Sequence, residues 1–196
     1  MHKISCRIAD TSIDRNWIQA EKRDWCVYAV EKKLMAVFFF IVIFLMSLCI
    51  GVLGQTLIFT VTVYLLRRRV GGWHAPYAWL CQVLSIAVVF GSVLFAGPLL
   101  SRIPMEYIWG IDLLCVAISI IQKPVYPPQT HFDQEITAAN NRKKIHLLIM
   151  IVAIQIILSY FYKEILIYSL LGISVSLILI YIELLHQKLQ KELFAK

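Results

Sequence analysis

Charge is what this sequence has least of. Only 16% of its 196 residues are Asp, Glu, Lys or Arg, against about 25% in a soluble domain. So little charge cannot keep a globular surface of this size wetted, which argues against a water-soluble enzyme. The five cysteines, Cys6, Cys26, Cys49, Cys81 and Cys115, are odd in number and contain no CxxC pair. That excludes a legible disulfide framework or zinc cluster. No basic stripe with interleaved aromatics is present, so nucleic acid is excluded as the expected partner. A short basic start followed by a short apolar run is also missing, and no cleavable signal peptide is expected. The chain shows no long-period repeat, no inverted repeat and no soluble second domain.

What is present is apolar. Hydrophobic residues make up 60% of the chain and the mean hydropathy is +0.74. Long uncharged runs of this kind specify an all-α integral membrane protein. Residues 1–33 hold seven of the nineteen Lys and Arg and are read as a basic N-terminal arm containing an amphipathic, interfacial helix. Ile13, Trp17, Ala20, Val27 and Tyr28 fall on one side of a helical wheel, and Arg15, Lys22 and Lys33 on the other. Asp24 and Glu31 interrupt the apolar face.

Residues 34–185 are read as one polytopic membrane domain. As a single helix, 34–66 would be about 50 Å long, against a hydrocarbon core of about 30 Å. Lys32 and Lys33 precede this run and Arg67, Arg68 and Arg69 follow it. A hairpin turning near Gly51 to Gln55 keeps both clusters on one side of the membrane. The expected spans are then about 34–50, 53–66, 77–97, 105–121, 145–162 and 165–185: six helices in three hairpins. Gly97-Pro98 is expected to end the third span, and Lys163-Glu164 to split the last two. Cytoplasmic loops fall at 67–76 and 122–144, and an amphipathic cytoplasmic tail at 186–196. This arrangement puts seventeen of the nineteen Lys and Arg on one face, so both termini and the 67–76 loop are expected in the cytoplasm.

That loop opens the segment Arg67-Arg68-Arg69-Val70-Gly71-Gly72-Trp73-His74-Ala75-Pro76, which runs on to Cys81. A thiol is a good nucleophile only as thiolate, and a nearby imidazole can take its proton. On one straight helix His74 and Cys81 would share a face but stand about 10 Å apart, whereas proton transfer needs about 3 Å. Pro76 favours a helix start at that point. Gly71 and Gly72 let the preceding loop fold back over the first turns. Competing readings are interfacial histidine and apolar filler cysteine, and that is the reading of Cys49 and Cys115.

Arg67-Arg68, Gly71-Gly72, His74-Ala75 and Cys81 together resemble the signature of the accessory gene regulator B family, bacterial membrane cysteine endopeptidases of quorum sensing. The resemblance extends to chain length, the basic arm, the multiple spans and the Pro124-Val125 dipeptide. Tyr126-Pro127-Pro128 and Thr130-His131 depart from the more usual family pattern. The resemblance implies a propeptide substrate with an amphipathic leader, a core and an acidic C-terminal tail, and a homodimer in the bacterial cell membrane. Cys81 would attack the peptide bond at the end of the core, with His74 as base and then proton donor, and the core would leave as a thiolactone or lactone. No cofactor and no metal are expected. Arg67 and Arg68 are candidates to hold the acidic tail or to set topology, and Gly71 and Gly72 are candidates for a structural role. Gln55 and Asp112 are possible orienters of the histidine or packing groups of the spans. The alternative function is a small transporter or assembly scaffold, with Glu106, Asp112, Gln55 and Gln155 lining a polar path. A thiol redox or metal site would need His131 or His146 recruited to His74 and Cys81.

Overall fold

The computed structural model describes residues 2–15, 17–73, 78–126 and 134–194. It divides into two units, Met1–Gly51 and Val52–Lys196. Among the described residues all extended regular structure is helical, and the only bridge between backbones is isolated, at Gly71 and Val125.

The first unit holds α1 (His2–Asp14), a 3-10 turn (Ala20–Lys22) and α2 (Arg23–Ile50). Helix α1 folds back antiparallel on the start of α2. Asp10 meets Arg23 at 2.8 Å and His2 meets Glu31 at 2.6 Å, while Ala9 and Val27 are buried. The arm therefore differs from the single amphipathic helix the wheel suggested. Ile13 lies on α1 and Val27 and Tyr28 lie on α2, with a break between. Thr11 and Ser12 turn their hydroxyls back to the Arg7 and Ile8 carbonyls, a local competition that weakens a helix near its end. Residue 33 is no boundary either, because α2 runs unbroken from Arg23 into the apolar run. It stops at Gly51, whose φ of 80° forms a left-handed cap with its N–H on the Ser47 and Leu48 carbonyls. A new helix, α3 (Leu53–Val70), begins two residues later.

The second unit continues with α4 (Ala78–Gly91), a π-helical turn (Ser92–Ala96), α5 (Gly97–Ser101), α6 (Met105–Ile121), α7 (Gln134–Leu158) and α8 (Lys163–Phe194). Helix α8 is the axis of this unit, with α3, α5, α6 and α7 packed around it. Leu166, Ile167 and Leu170 of α8 pack with Ile108 of α6. Further along, Ile173 joins Leu66, Val116, Leu148 and Ile151. Two glycines permit close approach to the axis. A Cβ on Gly172 would lie 2.8 Å from the Thr62 side chain, and one on Gly97 would lie 2.4 Å from the Tyr168 ring. Small residues at such crossings let apolar helices gain van der Waals contact in a bilayer.

Gly97-Pro98 does not end the third span. The helix passes through it to Ser101 by way of the π turn, with the Gly97 N–H bonded to the Ser92 carbonyl. Proline normally clashes with the carbonyl four residues back, and the wider turn just before Pro98 makes room for its ring. Helices α7 and α8 also extend past the expected spans: α7 starts within the expected polar loop, and α8 carries the expected separate tail as its last turns. Three helical stretches among the described residues are long and apolar enough to cross a membrane: Arg23–Ile50, Leu80–Ser101 and Lys163–Gln190. The chain is a helical membrane protein.

The two ends of the second unit are tied differently. At one end Lys163 donates to the Ser101 and Ile103 carbonyls at 3.0 and 2.7 Å, and Gln55 donates to Glu164 at 3.1 Å. At the other end lies a knot of backbone hydrogen bonds.

Candidate functional site

The knot begins where α3 runs out. Gly71 and Gly72 have φ of 74° and 103°, values that L side chains seldom adopt. The Gly71 N–H closes the helix on the Arg67 carbonyl at 3.0 Å. The chain then pairs with the loop after α6. Val125 N–H donates to the Val70 carbonyl at 2.9 Å, and Gly72 N–H donates to the Val125 carbonyl at 3.0 Å. Trp73 N–H donates to the Leu179 carbonyl on α8 at 3.1 Å. A Cβ on Gly71 would stand 2.3 Å from the Val125 oxygen, and one on Gly72 would stand 3.3 Å from the Leu179 carbonyl. The glycine pair is thus demanded twice, by its dihedrals and by two backbones passing against it.

The partner loop is held as firmly. Lys144, almost fully buried, donates to the Gln122 carbonyl at 2.6 Å and lies 3.4 Å from that of Ile120. It satisfies acceptors that the end of α6 would otherwise leave open, and burial lowers its pKa. Tyr126 donates its hydroxyl to the Arg69 carbonyl at 2.6 Å and accepts from Asn140 at 2.9 Å. Burial raises the tyrosine's pKa, against Asn140 and Arg69, which favour the charged form. Gln187 on α8 donates to the Tyr126 carbonyl at 3.0 Å and to Glu183 at 2.7 Å.

Arg67 is the residue that joins this knot to the thiol. Its Nη2 donates to the Trp73 carbonyl at 2.5 Å. Burial lowers its pKa, and Cys81 acts weakly against that fall. The guanidinium is thus bonded to the carbonyl of the residue just before His74. Cys81 is half-buried, the fourth residue of the described part of α4, and its carbonyl accepts from Ser85 at 2.8 Å. His74 and Pro76 lie outside the described residues, as does His131. Arg68, by contrast with Arg67, is exposed, as are Arg142 and Lys143.

The two residues considered as orienters lie elsewhere. Gln55 is bonded to Glu164 at the far end of the unit, roughly 18 Å along α3 from Arg67. Asp112 is bonded to Gln155. Gln155's second partner, Ser169, precedes Leu179 by ten residues, about 15 Å along α8. Glu183, Gln187 and Tyr126 were not singled out in the sequence, yet all three belong to the knot. A buried acid one turn beyond Leu179 was the available signal, masked by the amphipathic pattern of the tail. Among the described residues no three His, Cys, Asp or Glu side chains gather in a way that would hold a metal ion. His146 faces the Arg142 carbonyl at 2.8 Å.

Comparison with known proteins places the chain in a family. The model of the family described as accessory gene regulator B matches residues 3–185. Protein FsrB of Enterococcus faecalis is 32% identical over 111 residues, covering 57% of this chain and 44% of that protein. The match thus spans less than half the length of that relative. No solved structure matches.

Proposed function

This chain belongs to the accessory gene regulator B family, and on that premise we propose that it is a cysteine endopeptidase that processes a quorum-sensing propeptide at the cytoplasmic edge of the bacterial membrane. Cys81 is the nucleophile and His74 the general base. The observation that supports this most is the Arg67 guanidinium, bonded to the Trp73 carbonyl at the start of the segment that leads to Cys81. A fixed cation beside a thiol favours the reactive thiolate.

In the proposed reaction the Cys81 sulfur bonds to the carbonyl carbon at the end of the peptide core. The C–N bond breaks, and the leaving amine of the tail takes the proton that His74 had accepted from the thiol. The core is then an acyl thioester on Cys81. A thiol or hydroxyl within the core gives its proton to His74 and attacks that thioester, which frees Cys81 and closes a thiolactone or lactone ring. Ring closure without net hydrolysis needs water kept from the thioester, and a membrane-edge site favours that.

The acidic tail falls to Arg68, Arg142 and Lys143, whose side chains are exposed. Arg67 and Lys144 are occupied within the fold. Six spans in three hairpins, cytoplasmic termini and a homodimer complete the proposal.

The test is co-expression with a propeptide carrying an acidic tail, followed by mass spectrometry. Cys81→Ala and His74→Ala are expected to insert normally and to abolish tail removal. A core adduct on Cys81 is expected when the internal nucleophile of the core is mutated. Normal tail removal by Cys81→Ala would overturn the mechanism.

A further inference from the structure

A second polar centre, distinct from the knot, sits where α6, α7 and α8 meet. Asp112 and Gln155 are fully buried there, and Ser169 is nearly so. The Gln155 amide nitrogen donates one hydrogen to Asp112 Oδ1 at 3.1 Å and the other to Ser169 Oγ at 2.8 Å. Ser169 passes its own proton to the Ile165 carbonyl. Every donor in the trio is therefore used. Two acceptors are not: Asp112 Oδ2 and Gln155 Oε1 are both buried without a hydrogen-bond partner.

The pattern of vacancies is specific. A carboxyl and a primary amide are both planar forks, and one arm of each is already joined through Nε2 and Oδ1. The two unpartnered oxygens are the remaining arms of the same pair. If Asp112 is ionised, two buried acceptors go without a donor, with a full negative charge between apolar helices. One proton on Oδ2 removes both faults. It turns Oδ2 into a donor and gives Gln155 Oε1 a bond to accept, closing a cyclic acid–amide pair with every atom satisfied.

Among the described residues the surroundings offer no better neutraliser. On α6, the titratable neighbour one turn on is Cys115, whose thiol meets Ser174 at 3.6 Å, and Glu106 lies toward the other end. On α8, Tyr168 packs over Gly97, while Lys163 and Glu164 lie roughly 8–9 Å along the axis in bonds of their own. On α7, His146 and Lys144 are over two turns away and bonded to backbone.

We propose that Asp112 and Gln155 form an intramembrane proton-binding site, in which a neutral Asp112 shares its proton with the Gln155 carbonyl and so fastens α6 to α7 and, through Ser169, to α8. Asn at position 112 copies the neutral acid. Its amide donates to Gln155 Oε1 and its oxygen accepts from Gln155 Nε2.

The experiment uses the full chain in lipid nanodiscs at neutral pH. The infrared difference spectrum between the wild type and Asp112→Asn is expected to show the carbonyl stretch of a protonated carboxylic acid. Asp112→Asn is expected to keep the wild-type melting temperature, whereas Asp112→Leu and Gln155→Leu lower it. Raising the pH is expected to lower the wild-type melting temperature more than that of Asp112→Asn. Loss of only ionised carboxylate bands in the difference spectrum would overturn the proposal, since a bridging water or a bound cation leaves the acid ionised. So would an Asp112→Asn variant as unstable as Asp112→Leu, or stabilisation by sodium over choline chloride in the wild type alone.

Discussion

Replacing Gly71 by alanine should be far more damaging than any other glycine-to-alanine change along α3 and its exit. Gly71 holds φ 74° with ψ −125°, outside the left-handed helical well. Keeping a side chain in such a region costs about 1–3 kcal/mol. The added carbon would also stand 2.3 Å from the Val125 oxygen and 2.8 Å from the Tyr126 ring. Backbone cannot stay at that distance, so the bridge to Val125 must open. Its two hydrogen bonds are worth about 0.5–1.5 kcal/mol each. Together these effects disfavour the closed knot by about 2–6 kcal/mol. Gly72→Ala suffers the dihedral cost at φ 103°, but its carbon meets Leu179 at 3.3 Å, which a few tenths of an ångström relieves. Gly54→Ala is the control: nothing lies within 4 Å of its added carbon, and removing a helical glycine stabilises by about 0.5–1 kcal/mol. Neither Gly71 nor Val125 belongs to the helical core clusters, so the loss falls first on the knot. Two measurements check this. The processing rate of a co-expressed propeptide should rank Gly54→Ala, then Gly72→Ala, then Gly71→Ala, the last reduced by about 30-fold or more. Trypsin cleavage after Arg69 should rise in the same order, which reports opening of the knot without reference to activity. Gly71→Ala behaving like Gly54→Ala in both assays would refute the reasoning.

The arginines should separate by role. Arg67→Leu removes the bond to the Trp73 carbonyl at the start of the segment that leads to Cys81 and should change the rate at which iodoacetamide alkylates Cys81, whereas Arg68→Leu should not. Peptide mapping reads the Cys81 adduct directly, and an unchanged rate would remove Arg67 from the site. The adjacent lysines should separate as well. Lys144→Met loses its bonds to the end of α6 and should lower the melting temperature by about 2–4 °C for each kcal/mol removed. Lys143→Met should leave melting unchanged and raise the KM for an acid-tailed peptide by about 2–5-fold, as fits one exposed ion pair.

Much of the fold could be read from local chemistry. The helical membrane class follows from the apolar runs. The break in 34–66 was legible from the basic clusters on either side of the run, and the structure makes it with a left-handed cap at Gly51. Gly71 and Gly72 were recognisable as a place where the backbone must do something unusual. What they turn against was not, since Val125 and Leu179 are 54 and 107 residues beyond Gly71 and Gly72 respectively, and no spacing rule connects them. Pro98 misled for a similar reason. Its usual effect assumes a regular turn before it, and here a π turn precedes it. Arg67 and Arg68 are identical in the sequence, and only packing makes one half-buried and the other exposed. Asp112 and Gln55 looked like candidates for the same task because their types suited it. Position along the helix axes, which a sequence does not display, separates both from Cys81.

The bridge between Gly71 and Val125 is one residue long, and that brevity makes it a gauge. In a longer ladder a slipped register still finds most of its partners. Here a single inserted residue between Val70 and Gly72, or between Gln122 and Val125, would present the wrong peptide group and leave nothing to fall back on. The number of residues in these two short stretches is therefore itself a functional constraint. Chains of this design should tolerate altered side chains along the lipid-facing helices far more readily than a change in length at either point.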